Sequence, residues 1–444
     1  MFGGGTSSHS FGTKAPLSAS PRALSVRSLE AVLAEKDRAQ FLVGTSSLHQ
    51  PNQVPRRLLT RLQLYAPLRS LSFAAQIHLI EVDDATNDVA TRQVFRHPGE
   101  VLSLAPSPSD SRLLVACGKQ RDQAAEASLW RLPDAADEAQ DPQEDGDGGD
   151  ASSVRPQELT PLAVFPAQKL PVSECVSPSV DLLWIATDLK TSCVLYGRVV
   201  WGAQGDATTL ASAHETLLRT WRLDAGGSVE AQDKLELDVS MLGGATQRGA
   251  RALAWDPHHE AQLAFALGGS VRTWDLRAKG EAAGVEDAHP SAALALAFNP
   301  NKPFALASGG DDGKLKFWDL RYARKPVLAL AAHSHWVWSV RYHPQHDQLL
   351  LSGGSDATLA LWRVSSISSA PLVELDERDL MDETAAGGAA VADTLIRRVD
   401  EHEDAVYAAS WAAGGDAWLF ASVSYDGRLA VNHVPSTEKY KILL

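Results

Sequence analysis

Histidine, serine and aspartate recur together in this 444-residue chain at spacings that could support nucleophilic chemistry. A serine activated by a histidine, which is in turn oriented by an aspartate, is the arrangement of many hydrolases. In each set the serine follows the histidine by about 20 residues and the aspartate follows the serine by four. The sets are His289, Ser308 and Asp312; His333, Ser352 and Asp356; and His402, Ser422 and Asp426. Because a catalytic centre occurs once in a chain, this repetition favours a structural role.

A tryptophan follows two of these sets and reveals a repeat. Trp274, Trp318 and Trp362 each lie near the end of an apolar run, at intervals of 44 residues. A period of about 40–45 residues with a Gly-rich turn and a terminal tryptophan is typical of the four-stranded blades of a WD-repeat propeller. Asn432 takes the place of the tryptophan in the last unit. The template fits seven units, which predicts an all-β, seven-bladed WD-repeat β-propeller with acidic and irregular loop insertions.

The residue types in each set can form a chain of hydrogen bonds. Indole, hydroxyl, imidazole and carboxylate groups can pair in series and tie an outer turn to the inner strands. We therefore predict a structural blade network that contains the three sets together with Trp318 and Trp362. His333 and His335 could also bind a metal, but no acidic or sulfur ligand accompanies them at the spacing of a zinc site.

Other catalytic motifs are absent or incomplete. The chain has no G-x-S-x-G sequence, the motif of the serine-hydrolase nucleophile. Residues 309–315, GGDDGKL, resemble a phosphate-binding loop but have one spacer too few, and Leu315 stands where serine or threonine would bind magnesium. The sequence therefore predicts a protein that is not an enzyme and that has no catalytic, cofactor-binding or metal-binding residues.

Composition narrows the class of partner. The formal net charge of −14 would repel nucleic acid. No run of 18 apolar residues occurs, so no membrane span is predicted. The cysteines Cys117, Cys175 and Cys193 are odd in number and have no C-x-x-C spacing, which indicates a reducing compartment such as the cytoplasm.

Several segments interrupt the repeat. We predict a disordered leader over residues 1–24, with a transit peptide as the weaker alternative, and one propeller over residues 25–444. Insertions are predicted at about residues 54–76, 134–158, 172–196 and 374–394. The acidic stretches within the second and fourth insertions lack the ligand spacing of a calcium loop, which favours solvated loops. The C-terminal KYKILL is interpreted as an outer strand of the last blade.

Residues 54–76 contain four arginines and no acidic residue. Three interpretations remain open: a basic amphipathic helix for a membrane surface, a disordered insertion, or a translated intron. The third is possible because a valine codon begins with GT, a glutamine codon can end in AG, and the segment preserves the reading frame. Its removal would join SSLHQPNQ to IHLIEVDD as a strand, turn and strand.

Two groups of residues are candidates for binding a protein. Residues just before an inner strand, or in the turn before the network aspartate, could form a rim at one end of the channel: Asp311, Trp336, Ser355 and Tyr425. For Trp336, packing between blades is the competing interpretation. The sequence WDLR occurs twice and resembles the motif with which substrate receptors contact the adaptor of a cullin-RING ubiquitin ligase. The alternative contact residues are therefore Arg277 and Arg321.

Longer stretches resemble one family. They are FLVGTSSL, FNPNKPFALASGGDDGKLKFWDLR, HSHWVWSVRYHPQHDQLLLSGGSD, EHEDAVYAASW and WLFASVSYDGRLAVNHVP. Together they are similar to the EARP- and GARP-interacting protein family, also called the tumor-suppressing subchromosomal transferable candidate family. The resemblance covers most of residues 40–444 and departs at residues 54–76 and about 172–196.

This resemblance implies a cytoplasmic adaptor that is peripherally associated with the trans-Golgi network and endosomes. Its expected partners are two multisubunit tethering complexes, the endosome-associated recycling complex and the Golgi-associated retrograde complex. It would promote their membrane recruitment in endosome-to-Golgi retrograde transport and endosomal recycling. We expect a monomeric propeller within a larger complex. The resemblance transfers no partner-binding residues.

Overall fold

A computed structural model describes the following residues: 9–10, 24–32, 38–47, 75–83, 88–119, 126–133, 157–165, 198–202, 208–214, 217–224, 228–236, 250–371, 373–374, 389–390, 392–413 and 418–443. The chain folds as a seven-bladed β-propeller, which confirms the prediction from the repeat. The inner strands of successive blades contact one another, and the inner strand of blade one contacts that of blade seven.

Each blade is a sheet of antiparallel strands, named in order from the innermost to the outermost. Blade one contains Leu24–Val32, Arg38–Ser47, Ala75–Asp83 and Asp88–His97, with Gln157–Glu158 pairing in parallel at its edge. Blade two contains Glu100–Pro106, Leu113–Lys119, Glu126–Arg131 and Pro161–Phe165. Blade three contains Arg198–Trp201, Thr209–His214, Leu217–Leu223 and Val229–Glu236. Blade four contains Ala250–Trp255, Gln262–Leu267, Ser270–Asp275 and Gly280–Val285.

Blade five contains Ala293–Phe298, Ala305–Gly310, Lys314–Asp319 and Leu328–Ala331. Blade six contains Val337–Tyr342, Leu349–Gly354, Leu359–Arg363 and Thr394–Val399. A 3-10 turn, Ser365–Ile367, and a short hairpin of Val373–Glu374 with Ala389–Ala390 lie between its last two strands. Blade seven contains Val406–Trp411, Leu419–Ser424, Leu429–His433 and, as its outermost strand, His9–Ser10.

The core lies between adjacent blades, as expected for sheets packed face to face. Blades five and six, for example, share a cluster that contains Ala307, Phe317, Val340 and Trp362. Within blade six the second strand, Leu349–Gly354, is buried throughout. In blade five the outermost strand alternates between half-buried and exposed residues, because successive side chains point to opposite faces of the sheet. Burial therefore decreases from the channel outward.

The C-terminal prediction was wrong. Residues Ser436–Leu443 form a helix, α1, instead of an outer strand. The outermost position of blade seven is occupied by His9–Ser10, in which His9 pairs with Val431 and Ser10 pairs with Ala430. The leader predicted as disordered thus contributes two residues to a sheet, and Leu24 already belongs to blade one.

The predicted insertions fall mostly outside the described residues, and their edges differ from the prediction. Residues 54–74 and 172–196 are not described, whereas Ala75 and Gln76 belong to the third strand of blade one. Ala75 is buried, and the backbone N–H of Gln76 donates to Thr45 Oγ1 at 2.8 Å. Removing residues 54–76 would therefore delete two strand residues as well. Strand residues also occur at the ends of the second and fourth insertions.

Candidate partner-binding site

The first predicted network is assembled in blade five. His289 Nε2 lies 2.8 Å from Ser308 Oγ, and His289 Nδ1 lies 2.8 Å from Asp312 Oδ1. The Trp318 indole N–H donates to Ser308 Oγ at 2.9 Å. Burial lowers the pKa of His289. The neutral imidazole donates from Nδ1, since an ionised carboxylate can only accept, and it accepts the Ser308 proton at Nε2.

Blade six repeats the same geometry. His333 Nδ1 lies 2.9 Å from Asp356 Oδ1, His333 Nε2 lies 2.8 Å from Ser352 Oγ, and Trp362 Nε1 donates to Ser352 Oγ at 3.0 Å. Burial opposes ionisation of Asp356, but attraction to His333 and hydrogen bonds from Thr358 and the blade backbone outweigh it. The pKa of Asp356 therefore lies below its usual value. Burial lowers the pKa of His333.

The network in blade seven is incomplete. His402 Nε2 lies 2.8 Å from Ser422 Oγ, but His402 Nδ1 has no hydrogen-bond partner among the described residues. Asp426 instead accepts a short hydrogen bond from the Ser424 hydroxyl. Asn432, which replaces the tryptophan, is buried and has no side-chain partner within the same part of the chain. The sequence pattern is therefore repeated here without the complete chain of hydrogen bonds.

These networks resemble a catalytic triad in composition but not in accessibility. The Ser308 and Ser352 side chains are fully buried, and each oxygen already accepts an indole N–H. A nucleophile needs an open approach to a substrate carbon. The arrangement therefore suits a role in joining strands within a blade.

Three of the predicted rim residues occupy equivalent positions in successive blades. Asp311, Ser355 and Tyr425 each follow the second strand of blades five, six and seven. The backbone N–H of each donates, at 2.8–3.1 Å, to the carbonyl of the residue just before the inner strand of the same blade. Those carbonyls belong to Ala292, Trp336 and Ala405. The predicted residues therefore follow one another around one end of the channel.

Aromatic side chains form a continuous series at this end. The Trp336 and Trp338 ring centroids are 5.6 Å apart, those of Trp338 and Tyr407 are 5.1 Å apart, and those of Tyr407 and Tyr425 are 5.9 Å apart. We call these four residues the aromatic ridge. The ridge crosses from blade six to blade seven, and its first member, Trp336, is 42% exposed. Such rings offer a large contact area with little conformational freedom to lose on binding.

The ridge is held in place by the predicted rim residue Ser355. The Trp338 indole N–H donates to Ser355 Oγ at 2.6 Å. Trp338 and Tyr407 also line the central channel, together with the ion pair of Glu30 and Arg341. Sequence reasoning missed Trp338 and Tyr407 as binding candidates. The available signal was their shared position as the second residue of consecutive inner strands, where side chains face the channel.

The WDLR arginines lie at the other end of the propeller. They follow the third strands of blades four and five, and antiparallel pairing places those turns opposite the turns that carry the ridge. Arg321 forms hydrogen bonds with both carboxylate oxygens of Asp319, at 2.9 and 2.6 Å. The Arg277 side chain is 76% exposed and lies 3.3 Å from Glu260. These arginines therefore cannot belong to the same contact surface as the ridge.

Neither a membrane span nor a metal site occurs among the described residues. No helix there is both long and apolar enough to cross a bilayer. Across the same residues, no group of three or more histidine, cysteine or acidic side chains is arranged to hold a metal ion.

Comparison with known proteins identifies relatives over nearly the whole chain. The family model described as EIPR1 beta-propeller matches residues 172–362, a range that includes the segment 172–196 predicted as an insertion. The EARP-interacting protein homolog of Danio rerio is 36% identical over 429 residues, which cover 94% of this chain and 96% of the relative. The EARP and GARP complex-interacting protein 1 of Homo sapiens is 34% identical with the same coverage.

A more distant relative, the WD repeat-containing protein DWA2 of Arabidopsis thaliana, is 26% identical over 92% of this chain and 93% of its own length. The match to the animal relatives covers 94% of this chain and therefore includes all seven blades. The chain therefore belongs to the family of EARP- and GARP-interacting β-propeller proteins.

Proposed function

We propose that this chain is a non-catalytic adaptor that binds the EARP and GARP tethering complexes through the aromatic ridge. The observation that carries the proposal is the exposed Trp336 in a ring series that spans two blades. The names of the relatives support the identity of the partners. The adaptor promotes recruitment of these complexes to endosomes and the trans-Golgi network, and thereby retrograde transport and endosomal recycling.

A rigid propeller is suited to this role. The buried networks of blades five and six fix the turns from which the ridge projects, so little order must be gained on binding. Aromatic residues at the centre of an interface often dominate its affinity. Trp336 and Tyr425 are therefore the first residues to test.

The test is capture of tethering-complex subunits from native cytosol by the tagged full-length chain, quantified by mass spectrometry. Trp336→Ala should weaken binding by roughly 30-fold, equivalent to a hot spot of about 2 kcal/mol. Tyr322→Ala is the matched control, because Tyr322 is 77% exposed but follows the third strand of blade five, at the opposite end. Failure of the unmodified chain to capture either complex would overturn the proposal.

Recognition of a ubiquitin-ligase adaptor by Arg277 and Arg321 remains the alternative. The exposure of the Arg277 side chain favours this alternative. The Arg321 side chain is less available, because it is held in an ion pair with Asp319. The same capture experiment distinguishes the two functions. Recovery of a cullin-ligase adaptor that is lost in Arg277→Ala/Arg321→Ala, without recovery of tethers, would support the alternative.

A further inference from the structure

Acidic side chains stand at both ends of the aromatic ridge. At the blade-five end, Asp311 lies in the turn that contacts the segment leading to Trp336. A Cβ added at Gly313 of that turn would lie 2.3 Å from the carbonyl oxygen of His333 and 3.1 Å from that of His335. At the blade-seven end, exposed Asp404 accepts the N–H of Ala405, the residue whose carbonyl receives the Tyr425 N–H.

Neither carboxylate is neutralised within the described residues. Asp311 and Asp404 form no ion pair there, and the buried Oδ1 of Asp311 accepts no hydrogen bond within the same ranges. The neighbouring arginines are already engaged. Arg428 pairs with Glu403 at 2.5 Å, and Arg398 lies 3.8 Å from Asp356 and donates to the Ala332 carbonyl.

The ridge therefore combines the partly exposed Trp336 ring with uncompensated negative charge. A guanidinium or ammonium group over an indole is attracted to the ring, and arginine can in addition pair with a carboxylate in the same plane. An acidic partner segment would meet like charge at both ends of the ridge. Apolar side chains are suited to the tyrosine rings between those ends.

From this complementarity we infer that the aromatic ridge binds a partner segment in which an arginine or lysine lies next to an apolar side chain. The cation stacks on Trp336 near Asp311, and the apolar side chain packs on Tyr407 and Tyr425 toward Asp404. The inference rests on the proposed function and specifies the chemistry of the partner segment that this site recognises.

The test uses an array of random-sequence dodecapeptides probed with the full chain. Peptides that bind the unmodified protein but not Trp336→Ala should be enriched in arginine or lysine. For a selected arginine peptide, replacement of arginine by uncharged citrulline should weaken binding by roughly 3- to 10-fold. Asp311→Asn/Asp404→Asn should reduce the preference for the arginine peptide and retain only the part that stacking on Trp336 supplies.

Glu158→Gln/Glu260→Gln is the matched control, because it removes the same net charge from two side chains that are each 80% exposed and lie elsewhere. It should retain the preference for arginine. The inference is overturned if no peptide depends on Trp336, if the dependent peptides are neutral or acidic, or if the Asp311 and Asp404 substitutions leave the preference intact. Tether capture that Trp336→Ala abolishes would then still support the proposed function, whereas failure of the unmodified chain to capture tethers would refute that function separately.

Discussion

The Arg363 guanidinium and the Glu438 carboxylate lie 2.7 Å apart and join the third strand of blade six to helix α1. Only 9% and 11% of their side chains are exposed. Lys439 lies over the Trp418 ring at 5.3 Å, which adds a contact between the helix and blade seven. Helix α1 therefore joins blades six and seven at the end of the propeller opposite the aromatic ridge.

Breaking this ion pair should destabilise the protein. Glu438→Ala leaves the Arg363 charge buried without its carboxylate, so we expect the free energy of unfolding to fall by about 3 kcal/mol. The double substitution Arg363→Met/Glu438→Leu should recover most of the loss, because both charges are removed. Urea unfolding of the single and double variants measures this coupling. A loss below about 1 kcal/mol for Glu438→Ala would contradict the prediction.

Replacing the network serine by alanine should destabilise the protein more in blade six, where the network is complete, than in blade seven, where it is incomplete. Ser352→Ala removes the hydrogen-bond partner of both His333 and Trp362 and should cost about 2–3 kcal/mol. Ser422→Ala removes only the partner of His402, since blade seven has no network tryptophan, and should cost about 1 kcal/mol. Chemical denaturation compares the two. Equal losses would mean that the indole bond contributes nothing to stability.

The left-handed residue in the turn after Asp356 offers a stabilising change. Ala357 has a φ of 60°, whereas glycine occupies the equivalent positions in blades five and seven, with φ of 69° and 82°. Ala357→Gly should raise the free energy of unfolding by about 0.5–1 kcal/mol, because the unfavourable backbone conformation outweighs the added freedom of the unfolded chain. Gly313→Ala is the reverse control and should be destabilising, since its Cβ would also meet the His333 carbonyl. Thermal unfolding of both variants provides the measurement, and a lower melting temperature for Ala357→Gly would refute the expectation.

Stability should fall on mild acidification because of His78. Burial lowers the pKa of His78 to about 4, and both ring nitrogens lack a partner among the described residues. The unfolded chain binds a proton at His78 near pH 6.5, whereas the folded protein does not bind one until about pH 4. Proton binding therefore stabilises the unfolded state, and the free energy of unfolding falls as the pH drops from about 6.5 toward 4. At pH 5, His78 lowers the free energy of unfolding by about 2 kcal/mol.

His78→Leu isolates that contribution from the other buried histidines. Burial also lowers the pKa values of His97, His289 and His333, so the variant should retain part of the acid sensitivity. The measured quantity is the change in unfolding free energy between pH 7 and pH 5, which should be about 2 kcal/mol smaller in the variant. An identical pH dependence in both proteins would exclude His78 as the cause.

The propeller itself was predictable, because its 44-residue period and its polar sets are local patterns repeated in sequence. The Ser308 and Ser352 networks lie where that repeat places them. Helix α1 was not predictable, since KYKILL is short and its apolar residues suit a strand or a helix equally. The role of His9–Ser10 depends on pairing with residues at the far end of the chain, which no local pattern encodes. Asp426 illustrates a third limit: it accepts a hydrogen bond from the nearby Ser424 instead of contacting His402, although its spacing from Ser422 matches the repeat.

The pairing of His9–Ser10 with Leu429–His433 also has a consequence for biosynthesis. His9–Ser10 leaves the ribosome long before Leu429–His433, so blade seven remains an open edge until its partner strand has emerged. Contacts between such distant residues form slowly, and unpaired edges invite aggregation. We therefore expect maturation of the nascent chain to depend on protection by chaperones until the two ends meet.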